Sequence, residues 1–142
     1  MTQLTVTPKH SPVIVFDEDC RLQESMVNCL AMDGFEASGA SSPEDFFREL
    51  ELHPDLLAVI NVDTAAYDGL DMIGFVRKKS DARIIALTTS SSPSHRLACI
   101  KAGADVCLLK PVNFMLLSAS VGVLLLGNGR DETMLDINQF VS

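Results

Sequence analysis

Asp17, Glu18, Asn61, Asp63, Thr88 and Lys110 are the residues whose types and spacing could do chemistry together. Each stands at or just beyond the end of a short apolar run: "VIVF" before Asp17, "LLAVI" before Asn61, "IIAL" before Thr88 and "VCLL" before Lys110. Carboxylates gathered in one place suit a hard cation such as magnesium, which takes oxygen ligands and retains waters. A hydroxyl and an ammonium beside them suit a phosphoryl group. The stretch "LAVINVDTAAYDGLDM", Leu57 to Met72, puts an amide at the strand end where chains of this kind place a reactive carboxylate.

The elements that must position these groups follow from period and punctuation. Val13 to Phe16 is a strand buried on both faces, as in parallel sheets. Leu22, Met26, Cys29 and Leu30 form a helical stripe closed by Gly34, and "FEASGA" a short second strand. Ser42, Pro43 and Asp45 open a second helix with a cap, a first-turn proline and a capping box. "LLAVIN" is a third strand, Leu70 to Lys79 a helix, and "ARIIALTT" a fourth strand. Ser91 or Ser92 with Pro93 starts a helix ending at Ala102-Gly103; "VCLL" and "VNFMLLSASVGVLLL" supply a fifth strand and last helix. Strand and helix alternate throughout. The expected class is α/β, flavodoxin-like and doubly wound, with a five-stranded parallel sheet flanked by five helices. In such sheets ligands bind at the carboxyl ends of the strands, which gathers the six residues on one edge.

The chain has 142 residues, 47% hydrophobic and 21% charged, which suits one globular domain with a substantial core. Its net charge of -8 argues against direct nucleic-acid binding, where basic patches supply most of the affinity. Cys20, Cys29, Cys99 and Cys107 have no zinc spacing and fall in apolar stretches, which implies a reduced, cytoplasmic core. The first eleven residues lack an apolar signal core, and the longest apolar stretch, Val112 to Leu126, is too short to span a bilayer comfortably. Residues 1–11 are expected as a flexible terminus and 12–126 as the domain. Residues 127–142 read as a linker or the start of an effector domain.

The motifs "VIVFDED", "PDLLAVIN", "YDGLDMI", "RIIALTT" and "KAGADVCLLKP" together resemble the receiver domain of two-component response regulators, over roughly Pro12 to Leu126. Receivers take a phosphoryl group from a histidine kinase onto an aspartate, with magnesium bound. By that resemblance Asp17 and Glu18 match the acidic metal-binding pair, and Thr88 the hydroxyl that moves onto the phosphoryl group. Lys110 matches the lysine that pairs with it, and the Lys110-Pro111 bond would be cis.

The departures cluster at the same site. Counting back from Asp68 to the acceptor position lands on Asn61, and an acyl phosphate needs a carboxylate oxygen. Thr64-Ala65 replaces the usual Met-Pro, Thr89 stands where a smaller residue leaves access, and Cys107 holds the switch position where an aromatic often swings. Asp63 as a substitute acceptor lies about 6–7 Å further along an extended chain, away from Thr88 and Lys110, and reads as a solvated loop acid. His10, His53 and His95 are scattered and read as surface residues. The expectation is an atypical receiver, not an enzyme, with no catalytic residue, weak or absent magnesium binding and no other cofactor. The rival readings are a conventional phosphorylation switch whose aspartate was exchanged for Asn61, and an enzyme or small-molecule sensor using the acidic pocket.

Val112 to Leu126 carries no charge and is apolar nearly all round, although one stripe is enough to pack a helix on a sheet. A homodimer through the fourth helix, fifth strand and fifth helix is expected, around Leu97, Ile100, Leu117 and Leu124. The whole protein is expected to regulate transcription, with a DNA-binding domain beyond Ser142 and no membrane contact.

Overall fold

The computed structural model describes residues 11–64 and 67–126. Ten elements alternate: β1 (Val13–Phe16), α1 (Cys20–Met32), β2 (Ala37–Ala40), α2 (Pro43–Leu52), β3 (Leu57–Asn61), α3 (Gly69–Lys79), β4 (Arg83–Thr88), α4 (Pro93–Ala102), β5 (Val106–Leu109) and α5 (Phe114–Leu126). The strands pair in parallel in the order β2-β1-β3-β4-β5. The expected fold and its element order are therefore observed, with boundaries within a residue or two. The terminal segments, residues 1–10 and 127–142, and Ala65 of the altered loop lie outside the described residues.

Helix starts follow side-chain caps. Asp19 accepts from the Arg21 and Leu22 amides, Asp68 from Asp71 and Ser92 from His95. Ser42 accepts from the Asp45 amide, but the Asp45 carboxylate pairs with Arg48 at 3.0 Å rather than closing the expected capping box.

Alternation along the central strands feeds two cores. Ile14, Phe16, Ala58, Ile60, Ile84 and Ala86 face one side, under Phe46, Ile73, Val76 and Cys99 of α2, α3 and α4. Val13, Val15, Leu57, Val59, Ile85 and Leu87 face the other, under Met26, Leu30, Leu117, Val121 and Leu124 of α1 and α5.

Leu117 and Leu124, expected at a partner surface, are thus fully buried. The outward residues of α5 are Met115, 83% exposed, Ala119, Val123 and Leu126. Leu97 and Ile100 of α4 are exposed as expected. The cysteines are all free, but Cys20 is exposed, Cys29 half-buried, and only Cys99 and Cys107 are core residues.

The Gly-Ala-Asp segment has a clear structural use. Gly103 ends α4 at φ 131°, a conformation glycine tolerates. Asp105 then turns inward, where its Oδ2 accepts from the Ile84 amide at 2.8 Å and Arg77 Nη2 at 3.2 Å. Arg77 also donates to the Gly103 and Ala82 carbonyls, so one guanidinium ties α3, α4 and the start of β4 together. No helix among the described residues is long and apolar enough to cross a membrane.

Candidate functional site

Asp17 follows β1, Asn61 ends β3, Thr88 ends β4 and Lys110 follows β5, so parallel pairing brings all four to one edge. Asp17, Asn61 and Thr88 are each at most 3% exposed. Glu18 is exposed at the rim. The Lys110-Pro111 bond is cis, as the resemblance implied.

Asn61 is the hub. Its Oδ1 accepts from Lys110 Nζ at 2.8 Å and from the Asp63 amide at 3.1 Å. Its Nδ2 donates to Asp17 Oδ1 and to the Asp63 carbonyl, each at 3.3 Å. Only one orientation of an amide meets two donors and two acceptors in this way. A carboxylate here would keep Lys110 but turn a lone pair toward Asp17. Tyr67 closes the floor: its hydroxyl donates to the Asn61 carbonyl at 2.8 Å, and its ring stacks on Phe16 at 4.7 Å. Burial, reinforced by Asp17 and Glu18, pushes the phenol's pKa upward, so it stays a donor.

Thr88 is saturated. Its hydroxyl donates to Asp63 Oδ1 at 3.1 Å and accepts from the Ser90 amide at 3.1 Å. His95 Nε2 lies 3.0 Å from the same oxygen. With the hydroxyl's one proton given to Asp63, His95 donates to the remaining lone pair. Asp63 Oδ2 also accepts from the Thr89 amide.

Two expectations are corrected here. Asp63 does not lead away from Thr88, because the Asn61 side chain captures its amide and curls the loop back over β4. His95 is not a scattered surface residue: it is half-buried in the first turn of α4, with Cys99 Sγ 3.8 Å from its ring. Its place seven residues after Thr88, just inside a proline-started helix, was the available signal. Cys107 is buried against Cys99, the two thiols hydrogen-bonded, and burial pushes the Cys107 pKa up to about 12. Thr89 is exposed, its amide held by Asp63.

The residues present make a poor magnesium site. Asn61 Nδ2 already engages Asp17 Oδ1 and the Asp63 carbonyl, so an N–H donor stands where a cation would gather oxygens. One buried oxygen, Asp17 Oδ2, has no hydrogen-bond partner. Among the described residues no three His, Cys, Asp or Glu side chains form a metal-holding group. One orphaned oxygen and an exposed Glu18 fall short of the near-octahedral oxygen set that magnesium demands.

Residues 13–121 match the response regulator receiver domain. The transcriptional regulatory protein PrrA of Mycobacterium leprae is 32% identical over 123 residues, covering 85% of this chain and 52% of that protein. The probable transcriptional regulator ycf27 of Cyanophora paradoxa is 28% identical over 113 residues, covering 80% and 47%. The chain spans about half the length of these curated relatives. In fold it is similar to the receiver domain of the Francisella response regulator 1452, with a TM-score of 0.74 at 20% identity, covering 81% of this chain and 96% of that one. The NtrC4 receiver domain, solved as a beryllofluoride-activated dimer, gives 0.73 at 22% identity, covering 80% and 95%. With its sheet order and its polar strand-end pocket, this chain belongs to the response regulator receiver domain family.

Proposed function

We propose that this receiver acts as a phosphorylation-independent interaction module, pairing with a second copy through α4, β5 and α5. The carrying observation is the Asn61 amide, which satisfies Lys110 and Asp17 at once and offers no carboxylate oxygen to phosphorylate. Saturation of the Thr88 hydroxyl supports the same reading. The outward residues Met115, Val123 and Leu126 of α5, with Leu97 and Ile100 of α4, support an apolar contact. Magnesium binds weakly or not at all. In the whole protein this chain is the regulatory part of a cytoplasmic transcription regulator, with the DNA-binding part beyond Ser142. The names of the relatives and their greater length support that assignment.

Incubation with acetyl phosphate and magnesium, followed by mass measurement, tests the reading. No acid-sensitive phospho-species forms, the thermal midpoint does not move with millimolar magnesium, and sedimentation shows a dimer that the phosphoryl donor leaves unchanged. A phosphorylated pocket residue, micromolar magnesium affinity, or a monomer at high concentration sinks it.

A second reading rests on the retained Asp17, Thr88, Lys110 and cis Lys110-Pro111: a conventional phosphorylation switch whose acceptor aspartate was exchanged for Asn61. Rapid labelling of Asn61→Asp alone favours it.

A further inference from the structure

At the sheet edge opposite Asn61, the carboxyl-terminal turns of α2 and α3 leave a hollow of 510 Å³ lined by Phe47, Leu50, Pro54 and Phe75, with Glu51 and Lys79 on its rim. Its size falls within the range of small-ligand pockets, roughly 300–1,000 Å³. Phe75 is 50% exposed, an unusual setting for a large aromatic. Its ring touches that of Phe47, with centroids 5.2 Å apart and planes tilted by 52°, so the two form one angled aromatic wall. Lys79 Nζ lies 5.1 Å from the Phe75 centroid and joins no ion pair among the described residues. A cation held over an aromatic wall, beside apolar surface and without a counter-ion, is half of a recognition site for an anion with a flat apolar body.

We propose that this hollow binds a small aromatic monoanion, its ring system laid on the wall formed by Phe47 and Phe75 and its anionic group on Lys79. One unpaired cation serves one anionic group. Glu51 on the same rim disfavours a second negative charge and so limits the ligand to a monoanion.

The test uses the full chain and two fluorescent probes, 8-anilinonaphthalene-1-sulfonate and its uncharged analogue N-phenyl-1-naphthylamine. Both bind saturably, one per chain, and Phe75→Ser abolishes both. Lys79→Gln weakens the sulfonate about tenfold, the loss of one charge-assisted contact, and leaves the neutral probe unchanged. Glu51→Gln tightens the sulfonate. Phe75 and Lys79 are exposed, so both variants keep the fold, checked by an unchanged thermal midpoint. Binding indifferent to Phe75→Ser and Lys79→Gln but lost with Leu97→Asp assigns the probes to the α4 face and overturns the proposal. Loss of self-association in Phe75→Ser makes the occupant a second copy and also overturns it. Tighter binding of an acidic aromatic peptide than of the free aromatic acid overturns it in favour of a peptide partner.

Discussion

Asp63 Oδ1 holds the Thr88 hydroxyl at 3.1 Å, across the gap between the β3–α3 loop and the end of β4. The same carboxylate holds the Thr89 amide, so a loop acid covers the one side chain that resembles a phosphoryl-sensing group. On the proposed reading, the amide at position 61 and the engaged hydroxyl are two separate obstacles to phosphotransfer.

Restoring only the nucleophile therefore leaves the second obstacle in place. Asn61→Asp takes up little label from acetyl phosphate with magnesium. Asn61→Asp combined with Asp63→Ala labels about tenfold faster, equivalent to ~1.4 kcal/mol on the barrier. Initial labelling rates of the two proteins check this, and equal rates count against a blocking role for Asp63.

Inward and outward residues of α5 separate folding from association. Leu117→Ala or Leu124→Ala costs about 2–5 kcal/mol of stability by opening a cavity in the core. Met115→Glu or Val123→Glu changes stability by only about 0.5 kcal/mol, as exposed substitutions do, yet gives a monomer. Urea unfolding and sedimentation on the same four proteins separate the two classes. The proposed dimer is expected to survive raised salt, because α5 has no charge pairs to screen.

Asp105→Ala strips the Ile84 amide of its acceptor and Arg77 of its counter-ion. Arg77 keeps its carbonyl partners, so the cost is about 3 kcal/mol rather than complete unfolding. Urea midpoints measure it.

Alkaline pH destabilises the protein through its buried acids. Cys107 rises from an ordinary 9.0 to about 12 on folding, so the unfolded chain gives up this proton first. Its contribution is whole below pH 9 and is lost as pH rises toward 12. Cys99 and Tyr67, both raised by burial, act in the same direction. Unfolding midpoints fall above pH 9, and Cys107→Ala makes the fall shallower.

The order of strands and helices was readable because β1, β3, β4 and β5 are short apolar runs that end in polar residues. Asp17, Asn61, Thr88 and Lys110 stand at those ends and are legible from them. The reach of Asp63 was not, because it depends on a turn made by the Asn61 side chain rather than on extended spacing. His95 was missed because the angle at which α4 leaves its capping serine is a tertiary fact. Leu117 and Leu124 were placed on the wrong side because a helix that is apolar all round has no polar face to reveal its phase.

The outward stripe of Met115, Ala119, Val123 and Leu126 also dictates how a contact built on it responds to heat and cold. Burying apolar surface is driven near 25 °C mostly by entropy and carries a large negative heat-capacity change. Such a contact loosens on cooling and tightens on moderate warming. Its enthalpy also changes steadily with temperature. Cold is thus the condition under which the proposed α5 contact is weakest, whatever the ionic strength.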